Sequence, residues 1–165
     1  MLSSSGVSKQ EGLSFGFKVS MSGTSSDKNG RSNDSSSILF NSCEGLQSEI
    51  EVNFLNDGSS LERVIPVRGR KLGGVITFSR GVAESGSSAN EFFSWFLNVC
   101  DSSKILKKKI LNIMLVESEN SNKVLARWEV KGAWPCRWSG PLLEISGNTP
   151  TLEHISFAYE SIQKA

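Results

Sequence analysis

The sequence predicts a mainly β fold, an antiparallel β-sandwich or barrel that carries one flanking α-helix. Three observations support this class. Several segments alternate between apolar and polar residues, which is the pattern of a strand with one buried face. Turns of hairpin length connect these segments, and repeated helices do not, so the sheet should be mainly antiparallel. Only one segment has both the composition and the start signal of a helix.

The size and charge of the chain fit a single domain without an electrostatic target. The chain has 165 residues and a formal net charge of +1, which provides no overall field to attract nucleic acid or an anionic membrane. No apolar run approaches the roughly 20 residues of a membrane helix, and residues 1–12 lack the features of a secretory signal. We expect a flexible extension over 1–12, one domain over 13–165, a cytoplasmic chain and no stable membrane association.

The first predicted strand alternates from Leu13 to Met21. The Ser-rich run 23–37 is too polar to bury and should be a loop, either an insertion displayed on a surface or a loop that merely tolerates length. A second strand follows within 38–58 and ends at an Asn-Asp-Gly turn signal. One of its faces carries Leu46, Ile50, Val52 and Phe54, and the other carries Glu49, Glu51 and Asn53.

The segment 59–71 contains Pro66 and four basic residues. Proline lacks an amide donor, so this piece should not be a central strand. It is either a basic loop for an acidic partner or a solvated hairpin.

Residues 72–81 predict another strand, with Ile76 and Phe78 on one face. The helix follows over 89–100, where Ser88 and Glu91 fit a capping box. This helix is apolar nearly all round, so it should be covered on more than one side. A short helix in a monomer of this size rarely has two partners, and a subunit interface would supply the second.

The C-terminal part predicts a hairpin, an aromatic corner and a last strand. Residues 109–116 and 124–130 form the hairpin around the polar turn 117–123. The corner at 133–141 holds two tryptophans, and the last strand, within 151–161, alternates again. The expected total is six or seven strands and one helix.

The residues available for chemistry are few. Cys43, Cys100 and Cys136 are far apart in sequence, which indicates reduced and mostly buried thiols. The single histidine, His154, would have to anchor any zinc site or any hydrolytic centre alone, inside an alternating strand. We therefore expect no catalytic residue, no metal and no cofactor.

The motifs of the chain also occur in a recognisable order. A Gly-Leu pair precedes two acidic positions, a strand ends in Arg-Gly, the helix carries a Trp-aromatic pair, and a Trp-bearing strand leads to an Ala-Trp-Pro turn and a Trp-x-Gly-Pro corner. An acidic residue opens the final strand. The residues are Gly45, Leu46, Glu49, Glu51, Arg80, Gly81, Trp95, Phe96, Trp128, Trp134, Pro135, Trp138, Gly140, Pro141 and Glu153. This ordered set resembles the tube proteins of contractile phage tails and of bacterial contractile injection systems, over roughly 13–163.

The resemblance implies a structural role. Members of that family form hexameric rings that stack into a hollow tube inside a contractile sheath, and contraction of the sheath drives the tube through a target envelope. The implied partners are further copies of the chain, the sheath protein, the baseplate hub or tube initiator, a terminator cap and luminal cargo, either DNA or a protein effector. The segments 1–12 and 23–37 look longer than is usual in the family, so a tube-initiating or baseplate-adaptor variant of the same fold is the alternative.

Several residues are candidates for subunit contacts, namely the motif residues together with Arg68, Arg70 and Lys71. Arg80 paired with Glu49 or Glu51 is either an inter-subunit ion pair or an ordinary surface pair. The corner of Trp134, Pro135 and Trp138 either contacts another subunit or packs in the core. The family suggests that the loop 56–71 touches the next ring.

Two other function classes remain open from the residues alone. A monomeric β-sandwich could bind carbohydrate or protein through exposed aromatic side chains. A small hydrolase would need His154 in a pocket beside a nucleophile.

Overall fold

The computed structural model describes residues 15–22, 37–56, 58–59, 63–81, 89–117, 120–140 and 152–165. The predictions for 1–12, for most of the run 23–37, for Ser88 and for Pro141 lie outside these residues. Within them the chain forms ten strands and one helix. The elements are β1 Phe15–Ser22, β2 Ile38–Phe40, β3 Ser42–Glu44, β4 Glu49–Asn56, β5 Val64–Leu72, β6 Gly74–Gly81, α1 Ala89–Cys100, β7 Lys109–Glu117, β8 Asn120–Ser139, β9 Leu152–Tyr159 and β10 Ser161–Lys164.

Eight of the strands close into an antiparallel barrel. Their order is β2-β1-β7-β8-β9-β6-β3, with β10 paired to β8. The two ends of this path, β2 and β3, are separated along the chain by Asn41 alone. Strand β2 pairs with β1, and β3 pairs with β6. This short kinked segment therefore joins the two sides of the sheet, and closure removes edges that would otherwise stay unpaired.

The long strand β8 pairs with β7 on one side and with two different strands, β10 and β9, on the other. Its first part pairs with β10 from Trp128 to Lys131, and its last part pairs with β9 from Trp134 to Ser139. The prediction that the strand ends before a corner at 133–141 is wrong, because β8 continues to Ser139. A register shift between Pro135 and Arg137 absorbs the proline, which has no amide hydrogen for the ladder.

Aromatic side chains from the strands and the helix fill one end of the barrel. Phe157 lies 6.0 Å from Phe78, 5.5 Å from Phe92 and 5.6 Å from Trp95, measured between ring centroids. Phe40 joins the group at 5.0 Å from Phe78. Such tilted and edge-on pairs add roughly 0.5–1.5 kcal/mol each beyond the burial of their area. Phe78 and Phe157 are apolar positions of the predicted alternating strands, and both are buried in this core.

The helix covers the barrel with one of its faces. Phe92 and Trp95 are buried in the core. Phe93 and Phe96 are half-buried, whereas Leu97 and Cys100 are exposed. The second covering predicted for α1 is not provided by the described part of this chain, so an interface on that face stays a prediction.

Candidate functional site

Strands β4 and β5 form a free-standing hairpin. They make a two-stranded sheet of their own, separate from the barrel. Every residue of β4 except Glu51 is exposed, and on β5 only Gly69 and Leu72 are half-buried. Of the two alternatives for 59–71, the exposure of β5 and its pairing with β4 agree with the solvated hairpin, and an acidic partner stays a prediction. Pro66 fits there because β5 has no second strand to which it would have to donate.

The two faces of the hairpin follow the predicted alternation, but neither face is covered. Ile50, Val52 and Phe54 share one side of β4. All three are exposed. Leu46 was predicted to share this face, and that prediction is wrong. It precedes β4 and packs against the barrel core instead.

The base of the hairpin is held by the barrel. Gly45 has φ +85°, and a Cβ there would lie 2.2 Å from the carbonyl oxygen of Val75. Only glycine takes this conformation and this close approach at little cost. The hydroxyl of Tyr159, at the end of β9, lies 2.7 Å from the carbonyl oxygen of Gln47 and 3.1 Å from that of Gly45. These contacts fix where the hairpin leaves the barrel.

The outer end of the hairpin is apolar, a feature that the sequence analysis did not predict. We call Phe54, Leu55, Val64 and Ile65 the hairpin tip; their exposed fractions are 68%, 57%, 52% and 42%. Leu55 lies directly opposite Ile65. Their signal in the sequence is a pair of large apolar residues on each side of the connection 57–63. A cluster of exposed large apolar side chains is typical of an interaction surface.

The charges of the hairpin surround its lower part. Arg68, Arg70 and Lys71 are all exposed, as is Glu49. Arg70 Nε lies 3.5 Å from Glu51 Oε2. A pair this exposed stabilises the chain by less than about 1 kcal/mol, so these charges remain available to a partner.

Within the chain Arg80 pairs with neither Glu49 nor Glu51, so the predicted surface pair is wrong, whereas the inter-subunit pair stays a prediction. Its Nη2 and Nε lie 2.9 and 3.2 Å from Glu153 Oε2, across the β6–β9 register that sets the two residues opposite each other. Trp138 Nε1 donates to Glu153 Oε1 at 2.6 Å. The side chains of Arg80 and Glu153 are only 12% and 17% exposed. This network lies beside α1, where Arg80 and Glu153 line a small cleft together with Phe92 and Phe93.

The remaining motif residues are mostly structural within the chain. Pro135 is fully buried, and Trp134 packs half-buried against the core, which is the core-packing alternative for the corner. Trp138 lies at the rim, 5.0 Å from the ring of Phe93. Among the others, Trp95 is buried on the core-facing side of α1, and Phe96 and Trp128 are half-buried. Gly81 is exposed at the end of β6, and Gly140 is half-buried just after β8.

The single histidine pairs with a serine, and the three cysteines are free thiols. His154 Nδ1 lies 2.6 Å from Ser79 Oγ. Neither residue lines the groove between α1, Met21 and Lys107 or the small cleft between Arg80, Phe92 and Glu153. Burial, together with the charge of Glu44, raises the pKa of the Cys43 thiol to about 12 and keeps it protonated. Among the described residues no group of three His, Cys, Asp or Glu could hold a metal ion, and no helix has the length and apolar character to cross a bilayer.

Comparisons with known proteins agree with this architecture. Residues 13–163 match the family model of the T4-like virus tail tube protein gp19. A comparison with curated protein sequences gave no match.

Solved structures share the fold at low sequence identity. A chain of the PVC sheath-tube complex, an extracellular contractile injection system in its extended state, superposes with a TM-score of 0.68 at 21% identity, covering 90% of this chain and 87% of that chain. A chain of the PVC sheath/tube terminator gives 0.69 at 21% identity, covering 90% and 92%. A chain of the anti-feeding prophage baseplate gives 0.68 at 19% identity, covering 99% and 97%.

The family match covers nearly the whole chain, and the barrel with its helix has the fold of these tube and baseplate structures. The chain belongs to the family of the T4-like virus tail tube protein gp19 and is a structural tube subunit of a phage tail or tail-like particle.

Proposed function

We propose that copies of this chain assemble into hexameric rings that stack into a hollow tube, with the β4–β5 hairpin contacting a subunit of the next ring. The observation that supports this contact is the apolar hairpin tip, which no other part of the described chain covers. An isolated two-stranded hairpin is at best marginally stable in water. A neighbouring subunit would bury the tip and hold the hairpin in one conformation.

The partners of the tube follow from the same proposal. The sheath-tube, terminator and baseplate structures that share the fold support a sheath, a terminator cap and a baseplate hub as binding partners. Luminal cargo, either DNA or a protein effector, would pass through the tube, which performs no reaction itself.

The first test is electron microscopy of the purified chain in a concentration series. We expect rings that stack into tubes from the wild type and the loss of stacking in Leu55→Asp/Ile65→Asp, because each charge would have to be buried at the contact between rings. Far-UV circular dichroism should not change, since both residues are exposed. Leu39→Asp/Leu125→Asp makes the same change at two exposed barrel residues and is the matched control.

Each outcome has a distinct meaning. A tip variant that stacks as well as the wild type would reject the hairpin contact, as would a control variant that fails equally. A wild-type chain that stays monomeric at every concentration would contradict self-assembly. Single rings that never stack would favour the tube-initiating or baseplate-adaptor variant, which shares the fold.

A further inference from the structure

We propose that a groove beside α1 receives the hairpin tip of a second copy of this chain. This inference rests on the proposed tube assembly and names the surface that the hairpin contacts. The groove lies between α1, the end of β1 and the segment that leads from α1 into β7, and its volume is about 860 Å³.

The groove has an apolar floor that is already formed in the single chain. Trp95 lies at its base, only 5% exposed, and its Nε1 donates to the carbonyl oxygen of Lys107 at 3.3 Å. Val99 and Met21 extend the floor, and Ile105 stands at the edge with 89% of its side chain exposed. A cleft of several hundred cubic ångströms with an apolar lining is the usual form of a binding site.

The charges on the rim favour an apolar occupant over an acidic peptide. Lys109 Nζ lies 4.8 Å from the centroid of the Trp95 ring, a cation–π contact. Lys104 Nζ lies 2.8 Å from Asn98 Oδ1 and 3.5 Å from Asp101 Oδ2. Two of the three lysines that line the groove therefore already have partners within the chain, and Glu91 further lowers the positive charge.

The chain itself carries a matching apolar surface. The hairpin tip presents four uncharged side chains, and its hairpin pairs with no strand of the barrel. Strands of eight and nine residues carry the tip roughly 25–30 Å from the hairpin base, far enough to reach a neighbouring subunit. By contrast, the segment 23–36, which follows β1 in the sequence, contains no large apolar residue.

The geometry of such a contact suits a tube. The tip and the groove are different surfaces of one chain, so each subunit inserts its tip into one neighbour and accepts the tip of another. A contact of this heterologous kind closes into rings or extends into stacks, and it does not stop at a dimer.

The test is cross-linking between two introduced cysteines. Val64→Cys lies in the tip, and Ser94→Cys is a near-isosteric change at an exposed residue that lines the groove. The background carries Cys100→Ser and Cys136→Ser, which remove the two exposed thiols. A short bismaleimide added to the assembled particles should give a ladder of covalent multimers on a denaturing gel.

The controls separate this contact from chance proximity. Either single-cysteine variant alone should remain monomeric on the gel, and a mixture of the two should stop at dimers. Ser94→Cys combined with Leu39→Cys places the second thiol at an exposed barrel residue and should give no ladder. A second pair of variants needs no cross-linker: Ser94→Trp fills the groove and should abolish assembly with an unchanged circular dichroism spectrum, whereas Ser94→Ala should assemble.

Failure of the groove and failure of the tube are distinguishable. Stacked tubes that form without a ladder, together with normal stacking of Ser94→Trp, would overturn the groove as the receiving surface and leave the tube assembly intact. A wild-type chain that forms neither rings nor tubes would overturn both.

Discussion

Arg80, Glu153 and Trp138 form a largely buried hydrogen-bond network between β6, β8 and β9. The guanidinium group makes two hydrogen bonds to one carboxylate oxygen, and the indole of Trp138 binds the other oxygen. Both charged side chains are largely removed from water. The guanidinium also lies 5.8 Å from the centroid of the Phe40 ring, at the boundary of the aromatic core. A charge in such a place is stable only while its partner remains.

Replacing one residue of the Arg80–Glu153 ion pair should lower the free energy of unfolding more than replacing both. We expect Glu153→Leu to lower the free energy of unfolding by about 3 kcal/mol, because it leaves a largely buried guanidinium group unpaired. Arg80→Met/Glu153→Leu should lose clearly less. Urea unfolding of the dissociated chain measures both variants. Equal losses in the single and the double variant would contradict the argument.

Strand β8 shows how a single element connects the two halves of the barrel. It pairs with β7 along most of its length, and its other side passes from β10 to β9 near Gly132. Gly132 has φ +66°, and a Cβ there would approach the carboxylate of Glu160 to about 2.5 Å. The glycine lets the strand turn between its two neighbours, a change of direction that a continuous alternating pattern does not reveal.

A side chain at position 132 should therefore loosen this junction. We expect Gly132→Ala to lower the free energy of unfolding by about 1–2 kcal/mol, since alanine disfavours positive φ. The matched control is Gly81→Ala, where an added Cβ meets nothing within 4 Å. That variant should stay within about 0.5 kcal/mol of the wild type. Thermal unfolding of the two proteins at one concentration compares them, and equal midpoints would count against the role of Gly132.

Across the whole molecule, the residues that form the core differ from the residues that are exposed to a partner. Phe157 is fully buried and touches aromatic rings from β6 and from α1. Phe54 is 68% exposed on the hairpin. The same residue type thus serves the core at one position and the candidate contact at the other.

Truncating each phenylalanine should separate stability from assembly. Phe157→Ala should cost about 3–5 kcal/mol through the lost burial and the cavity that remains. Phe54→Ala should leave the unfolding of the dissociated chain within about 0.5 kcal/mol of the wild type and should still weaken ring stacking. Urea titration and electron microscopy of both variants give the two readouts. A large loss of stability in Phe54→Ala would mean that the hairpin is part of the folded core.

Local pattern alone identified the helix and several strands of this protein. The expected total of six or seven strands is wrong, because the described residues form ten: the segment 38–58 divides into β2, β3 and β4, and β10 is a separate strand. The alternation around Val19 and Phe78, the helix at 89–100 and the proline in the segment 59–71 act within a few residues of the chain, and the structure agrees with each of them. The ordered motifs also pointed to the tail tube family, and the family match over 13–163 confirms it.

Only the tertiary structure decided how distant residues meet. Arg80 and Glu153 are 73 positions apart, and their pairing depends on the β6–β9 register, which no local pattern encodes. The same holds for the closure of the barrel at Asn41 and for the continuation of β8 through Pro135. Ile50, Val52 and Phe54 on the exposed strand β4 also have the periodicity of a strand with one buried face, because alternation reports which side chains share a face and says nothing about what covers that face.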